Sequence, residues 1–317
     1  MTSPDADLQA RFLQGDRRAL ARLLTAVENG TETGLAALRA LYARSGRART
    51  IGITGASGTG KSTVTNALAK AFRKRGQSVG IVAVDPSSPY TQGAILGDRV
   101  RMQELTADPQ IFIRSLASRG ALGGLAAATM DIVSLLDAFG KEVILIETVG
   151  AGQDEVEIAG TAQTTVLLNT PGAGDDIQAM KAGIMEIADV LAVNKADLPG
   201  ADVLISQLRA LLSLLPDRRW LPPIVRMIAT EAVGIDDLVD ACDRHYAFLQ
   251  ESGRLREAER NRARHQLLAL ARQQLLAGLM EHTGGGVRLE TLVEAIAARE
   301  IDPHSAAQQW VAQESGA

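Results

Sequence analysis

At 317 residues the chain is long enough to bury a full α/β domain with a smaller appendage. Its 33 Lys and Arg against 37 Asp and Glu leave a net charge of −4, which argues against nucleic acid or an anionic membrane as a partner. A single cysteine, Cys242, excludes an internal disulfide framework; no apolar run reaches the roughly 18 residues that span a bilayer, and "MTSPDADLQ" reads as no secretory leader, so a cytoplasmic protein is expected.

Residues 1–46 read as helices. Asp16 caps a segment whose Leu20, Leu23, Leu24 and Val27 share one face, Asn29-Gly30 ends it, and a shorter helix follows through Leu35, Leu38 and Leu41. From Thr50 the pattern changes to short apolar runs, each closed by a polar or glycine-rich turn: "TIGIT", "VGIVAVD", "VILIE", "TTVLLN", "VLAVN" and "PIVRMIA". Runs this apolar are expected of parallel strands covered on both faces, so the middle of the chain, residues 47–243, is expected to be an α/β domain with a doubly wound, mostly parallel sheet. Residues 244–317 read as helices again. Leu268, Ala271, Leu275 and Leu279 form a stripe, Gly284 to Gly286 break it, a helix follows through Leu289, Leu292, Val293 and Ile296, and Asp302-Pro303 opens another. A long apolar stripe beyond a complete α/β core suits a dimerisation module, and a homodimer is expected.

The stretch "GASGTGKS" fits G-x-x-x-x-G-K-[ST] between a strand and a helix. Glycines let backbone N–H groups turn toward phosphate oxygens, the helix start adds its dipole, Lys61 reaches the β- and γ-phosphates, and Ser62 binds Mg²⁺. Downstream, "VLAVNKAD" delivers Asn194, Lys195 and Asp197 into a loop. A carboxylate accepts the N1–H and N2–H donors of guanine, whereas adenine presents an acceptor at N1 and no 2-amino group, so Asp197 selects GTP and GDP over ATP. Asn194 braces the loops, the Lys195 stem covers the base, and "IATE" brings Thr230 to a last base-contacting loop. The nucleotide-binding set is Gly55, Gly58, Gly60, Lys61, Ser62, Thr63, Asn194, Lys195, Asp197 and Thr230.

Three acids are placed for Mg²⁺ and hydrolysis together with Ser62 and Lys61: Asp85 at the end of "VGIVAVD", Asp98 in "GAILGDRVRM", and Glu147 at the end of "VILIE". That is more than one hexacoordinate Mg²⁺ needs beside phosphate and water, so one acid acts through water or in one nucleotide state. Glu147-Thr148-Val149-Gly150-Ala151 stands where a small GTPase has Asp-x-x-Gly and a water-orienting Gln; Gln153 comes later. Hydrolysis by the isolated protein is therefore expected to be slow.

The segments "GASGTGKST", "VAVDPSSP", "GAILGDRVRM", "FIRS", "ALGGLA", "ETVGAGQDEVE" and "NTPGAGDDIQAMKAGIMEIADVLAVNKAD", with an N-terminal "GDRRALARLLTAVEN", resemble the MeaB/ArgK family over nearly the whole chain. These are G-protein chaperones of adenosylcobalamin-dependent acyl-CoA mutases, and the methylmalonic aciduria type A protein is one of them. The resemblance implies a GTPase of the signal-recognition-particle/MinD class with an N-terminal helical arm, a homodimer formed through C-terminal helices, and a role in gating adenosylcobalamin delivery to methylmalonyl-CoA mutase or a relative and protecting it. It also implies that Asp85, Asp98 and Glu147 are the Mg²⁺-associated acids. The switch that communicates with the mutase would be "GAGDDIQAMK", with Asp175, Gln178 and Lys181. Two departures stand out: the family's loop FIRPSPS is "FIRSLAS" here, and its GDKTRM is "GDRVRM". Two rivals remain, a nickel-inserting chaperone GTPase, for which one Cys and four scattered His are a poor ligand store, and an ATP-driven partner of a transport system, against which "NKAD" argues.

Overall fold

The computed structural model describes residues 4–86, 103–118, 124–148, 161–172, 187–214, 219–281 and 285–312. Three helices come first, α1 (Pro4–Leu13), α2 (Arg17–Glu28) and α3 (Glu32–Leu41). The Asp16 carboxylate accepts from the N–H groups of Arg18 (2.7 Å) and Ala19 (3.3 Å), satisfying two donors that the start of α2 would leave open. At the other end Asn29 is the C-cap and Gly30 turns the chain with φ 63°.

Strands and helices then alternate: β1 (Arg49–Thr54), α4 (Lys61–Lys74), β2 (Val79–Pro86), α5 (Gln103–Thr106), β3 (Ile111–Ser118), α6 (Gly124–Ala138), β4 (Val143–Glu147), β5 (Thr164–Asn169), β6 (Val190–Val193), α7 (Ala201–Leu214), β7 (Ile224–Arg226) and α8 (Ile235–Glu251). The described strands form one parallel sheet in the order β3-β2-β4-β1-β5-β6-β7. The order reverses around β1, which makes the carboxyl ends of β1, β4 and β5 the natural ligand crevice. Both sheet faces are covered, and β4 shows how. Val143 and Leu145 belong to one cluster, with Val64, Leu68 and Phe72 of α4 and Leu238 and Val239 of α8, while Ile144 and Ile146 belong to another, with Leu135 and Leu136 of α6 and Leu20 and Leu23 of α2. Each such Leu or Ile, fully buried, contributes about 1.5–3 kcal/mol. A third cluster joins α7 to Leu167, Leu191 and Val193.

One segment departs from the expectation. "FIRSLAS", expected as a loop, is the body of the edge strand β3, paired with β2 from Ile111 to Ser118. Its polar Arg114 is accommodated because the guanidinium pairs with Glu28 of α2 and donates to Thr25. The N-terminal helices thus lean on this strand, and Arg17 adds bonds to the carbonyls of Asp108 (3.1 Å) and Ile111 (2.9 Å).

At the amino end of the sheet, away from the crevice, α8 buries His245. Its Nδ1 lies 2.9 Å from Thr164 Oγ1 and its Nε2 3.3 Å from Asp189 Oδ1, with the Trp220 ring against it. Burial holds this imidazole down to about 4, so it is neutral, with Nε2–H assigned as donor to Asp189 and Nδ1 as acceptor from Thr164.

By compactness the chain forms two units, residues 1–263 and 264–317. The second contains most of α9 (Arg254–Glu281), then α10 (Gly285–Ala297) and α11 (Pro303–Ala312), the last capped by Asp302, which accepts from His304 and Ser305 N–H groups. Along α9, Leu267, Leu268, Leu275, Leu276 and Met280 are between 46% and 70% exposed. No helix among the described residues is long and apolar enough to cross a membrane.

Candidate functional site

The turn after β1 carries the first part of the site. Gly55, Gly58 and Gly60 take φ values of 145°, 82° and 92°, a region that side-chain-bearing residues enter at a cost of about 1–2 kcal/mol. Space adds a second demand at two of them: a Cβ on Gly55 would lie 2.5 Å from the Leu168 carbonyl oxygen, and one on Gly60 2.6 Å from Asn194 Nδ2. Gly60 is also the N-cap of α4, so the N–H groups of the helix start face the turn. Lys61 is buried, and its Nζ donates to the carbonyls of Gly55 (2.7 Å) and Ala56 (3.0 Å), curling the turn around its own ammonium group.

The second part comes from the ends of β6 and β7. Asn194 is only 3% exposed and bonds in three directions: its Nδ2 donates to the Thr59 carbonyl (2.8 Å), its Oδ1 accepts from Ala229 N–H (3.1 Å), and its own N–H donates to the Asn169 carbonyl (2.8 Å). One residue therefore ties the three segments together, its side chain joining the phosphate turn to the loop after β7 and its backbone N–H reaching the end of β5. Lys195 adopts φ 55° and its Nζ donates to the Gly58 carbonyl at 2.8 Å, laying the stem along one wall. Between these loops lies a cleft of about 190 Å³ lined by Gly60, Thr63, Asn194, Lys195, Asp197 and Thr230, with Leu198, Ile228 and Ala229 between them. The loop carrying Thr230 is shaped by an Ile228–Val233 bridge and by Gly234 (φ 75°), where a Cβ would lie 2.2 Å from the Arg226 carbonyl oxygen.

The third part sits on β4. Glu147 is 4% exposed and in register with Ile53 of β1 and Ala83 of β2, which brings its carboxylate beneath the phosphate turn. Ser62 donates to its Oε1 at 2.6 Å. Two adjacent ligands of an octahedral Mg²⁺, each about 2.1 Å from the metal, stand about 3 Å apart. The hydroxyl–carboxylate pair is thus the hard-oxygen set and close to the spacing that Mg²⁺ requires. Asp85 lies two positions past Ala83 on the neighbouring strand, paired in register with Ala117. Asp98, Gln153, Asp175, Gln178 and Lys181 lie outside the described residues.

Comparison with known proteins names what this geometry belongs to. Residues 20–284 match the family model described as methylmalonyl Co-A mutase-associated GTPase MeaB. The chain belongs to the MeaB family of GTPases. A putative GTPase of Pyrococcus abyssi is 47% identical over 95% of this chain and 94% of its own, and the GTPase ArgK of Escherichia coli is 36% identical over 80% of this chain and 79% of its own. Among solved structures, that of an LAO/AO transport system kinase aligns with a TM-score of 0.76 at 25% identity, covering 99% of both chains. The parallel sheet with helices on both faces is the P-loop GTPase fold.

Within this MeaB-family chain the structure gathers Gly60, Thr63, Asn194, Lys195, Asp197 and Thr230 into one cleft and joins Ser62 to Glu147 beside it. Sequence reasoning passed over Thr59 and Leu198, and placed Ile228 and Ala229 only as part of the base-contacting "IATE" loop, without a role of their own. Thr59 and Ala229 serve through backbone atoms, which residue type does not reveal; only their spacing from the glycines and from the "NKAD" loop pointed to them.

Proposed function

We propose that the chain binds guanine nucleotides with Mg²⁺, hydrolyses GTP slowly, and uses the γ-phosphate as a switch that gates adenosylcobalamin loading of an acyl-CoA mutase. The observation that carries this reading is Asn194, which holds the phosphate turn and the Asp197 loop in one bonded unit. Asp197 on the rim of that cleft supplies the acceptor that guanine needs and adenine lacks. This also weighs against the ATP-driven transport-system partner.

In the proposed reaction water attacks the γ-phosphorus in line and GDP leaves. Lys61 exchanges the Gly55 and Ala56 carbonyls for the β- and γ-phosphate oxygens, and the N–H groups around Gly58 and Gly60 stabilise the charge that develops. Ser62 and Glu147, with Asp85 and Asp98, would hold Mg²⁺, which when bound neutralises charge on the phosphates. With no glutamine directly after Gly150, the water is poorly oriented, and a client that orders Asp98 and Gln153 would accelerate turnover by about 10³–10⁵. Asp175, Gln178 and Lys181 are the proposed coupling residues. The mutase as client follows the family's description, and the exposed α9 stripe within residues 244–317 supports a homodimer, with residues 1–46 as the arm and 47–243 as the G domain. A nickel-inserting role is less well supported: His245 is buried in the core, whereas His265 and His304 are exposed on separate helices.

The test is GTP turnover by the protein alone and with an adenosylcobalamin-dependent acyl-CoA mutase, using Lys61→Ala and Asp197→Ala as controls. Acceleration that needs both residues supports the reading. Turnover that the mutase leaves unchanged removes the client while leaving guanine binding in place.

A further inference from the structure

A second depression, of about 420 Å³, opens beside the base cleft and shares Thr63, Ala229 and Thr230 with it. It runs along α4 past Asn66 to Lys70 and Lys74, within the size range of small-molecule sites. A guanine held by Asp197 with its 5′-phosphates on Gly58 to Ser62 would carry its ribose between the two, on the side of Thr63, which lines both depressions. A substituent on the ribose hydroxyls then leaves into the second depression. Lys70 is seven residues along α4 from Thr63, about 10 Å at the helical rise, and lines the same depression.

We infer that this groove is a subsite for a second phosphate group on the ribose, so that the chain binds guanosine carrying a 5′-diphosphate and a 3′-diphosphate more tightly than GDP. The inference rests on the guanine reading above. Lys70 is now paired with Glu104 at 2.7 Å, but both side chains are exposed (48% and 78%), and such a pair is cheaply exchanged for a doubly charged phosphate. Among the described residues Lys74 makes no ion pair, and its exposed ammonium group is available. Asp236 on the far wall is the opposing charge; it favours a ligand that follows α4 rather than one filling the whole groove. Thr63, Asn66 and Thr230 supply hydrogen-bonding groups along the way, and Ala67, Ala71 and Ala232 keep the floor low. Such a ligand has no γ-phosphate and occupies the phosphate turn, so it would compete with GTP and hold the switch in its diphosphate state.

Calorimetric titration with GDP and with guanosine 5′-diphosphate 3′-diphosphate, at fixed Mg²⁺ and salt, tests this. The wild type is expected to bind the latter about tenfold tighter. In a Lys70→Ala, Lys74→Ala double variant the two affinities should become equal with that for GDP unchanged, and a Lys70→Arg, Lys74→Arg variant should keep the preference. Equal affinities in the wild type, or a preference that survives the double alanine change, would overturn the subsite while leaving the guanine reading intact. Failure of both nucleotides to bind would overturn the guanine reading and the subsite with it.

Discussion

Buried His245 makes acid stability a measure of one side chain. Its ordinary value of 6.5 falls to about 4 in the folded chain because burial penalises the cation. The Asp189 contact, at 3.3 Å, pulls the other way, but Asp189 is also committed to Thr165 N–H at 2.8 Å, and burial wins. A second proton would also force the Thr164 hydroxyl to turn from donor to acceptor. The sign follows: between pH 6.5 and 4 the unfolded chain binds a proton that the folded chain does not, so this residue leaves stability level above pH 6.5 and erodes it as pH falls toward 4. The full loss is about 3 kcal/mol, at up to about 1.4 kcal/mol per pH unit. Urea unfolding of the wild type and His245→Gln across pH 4 to 7.5 checks this. The variant is expected to be less stable at pH 7 through lost packing against Trp220, yet to lose less on acidification, so the two curves converge at low pH. Parallel curves would refute the argument, because they would mean that His245 takes up its proton alike in both states.

Three further outcomes follow from the site and the helices. Gly60→Ala should cost about 1–2 kcal/mol of stability from its φ of 92° and displace Asn194, so nucleotide affinity should fall more than thermal stability does; equal affinity would mean the 2.6 Å approach is relieved elsewhere. Ser62→Ala should weaken the Mg²⁺ dependence of nucleotide binding while leaving metal-free GDP binding near the wild-type value, as read by titration in chelator and in excess Mg²⁺. Leu268→Glu with Leu275→Glu should convert a dimer to a folded monomer in light scattering at unchanged helicity, since both side chains are at least half exposed in the single chain.

The elements most legible in the sequence were those whose local chemistry is self-sufficient. Asp16 and Asp302 announce helix starts because a carboxylate two or three residues before free N–H groups is sufficient reason for a cap. Strands β1, β4, β5 and β6 were legible because burial on both faces leaves them continuously apolar. β3 was not, because Arg114 breaks its pattern and is explained by Glu28 and Thr25, 86 and 89 residues away in sequence. At the site, the glycines, Lys61 and the "NKAD" residues could be read from spacing. Ser62 and Glu147 were read as sharing one metal ion, but their direct bond was not, because it depends on β4 lying beside β1, which no local pattern states.

The proposed role of the cleft depends most directly on which base it accepts. Competition of GTP, ATP and xanthosine triphosphate for the wild type and for Asp197→Asn measures it. Asparagine can donate to the 2-oxygen of xanthine but cannot accept from both guanine donors. The wild type should therefore prefer GTP over ATP by about 10⁴ or more, and the variant should lose about 10² in GTP affinity while gaining xanthosine triphosphate. Comparable binding of ATP and GTP by the wild type, or a GTP affinity untouched in Asp197→Asn, would contradict the assignment of this cleft to guanine.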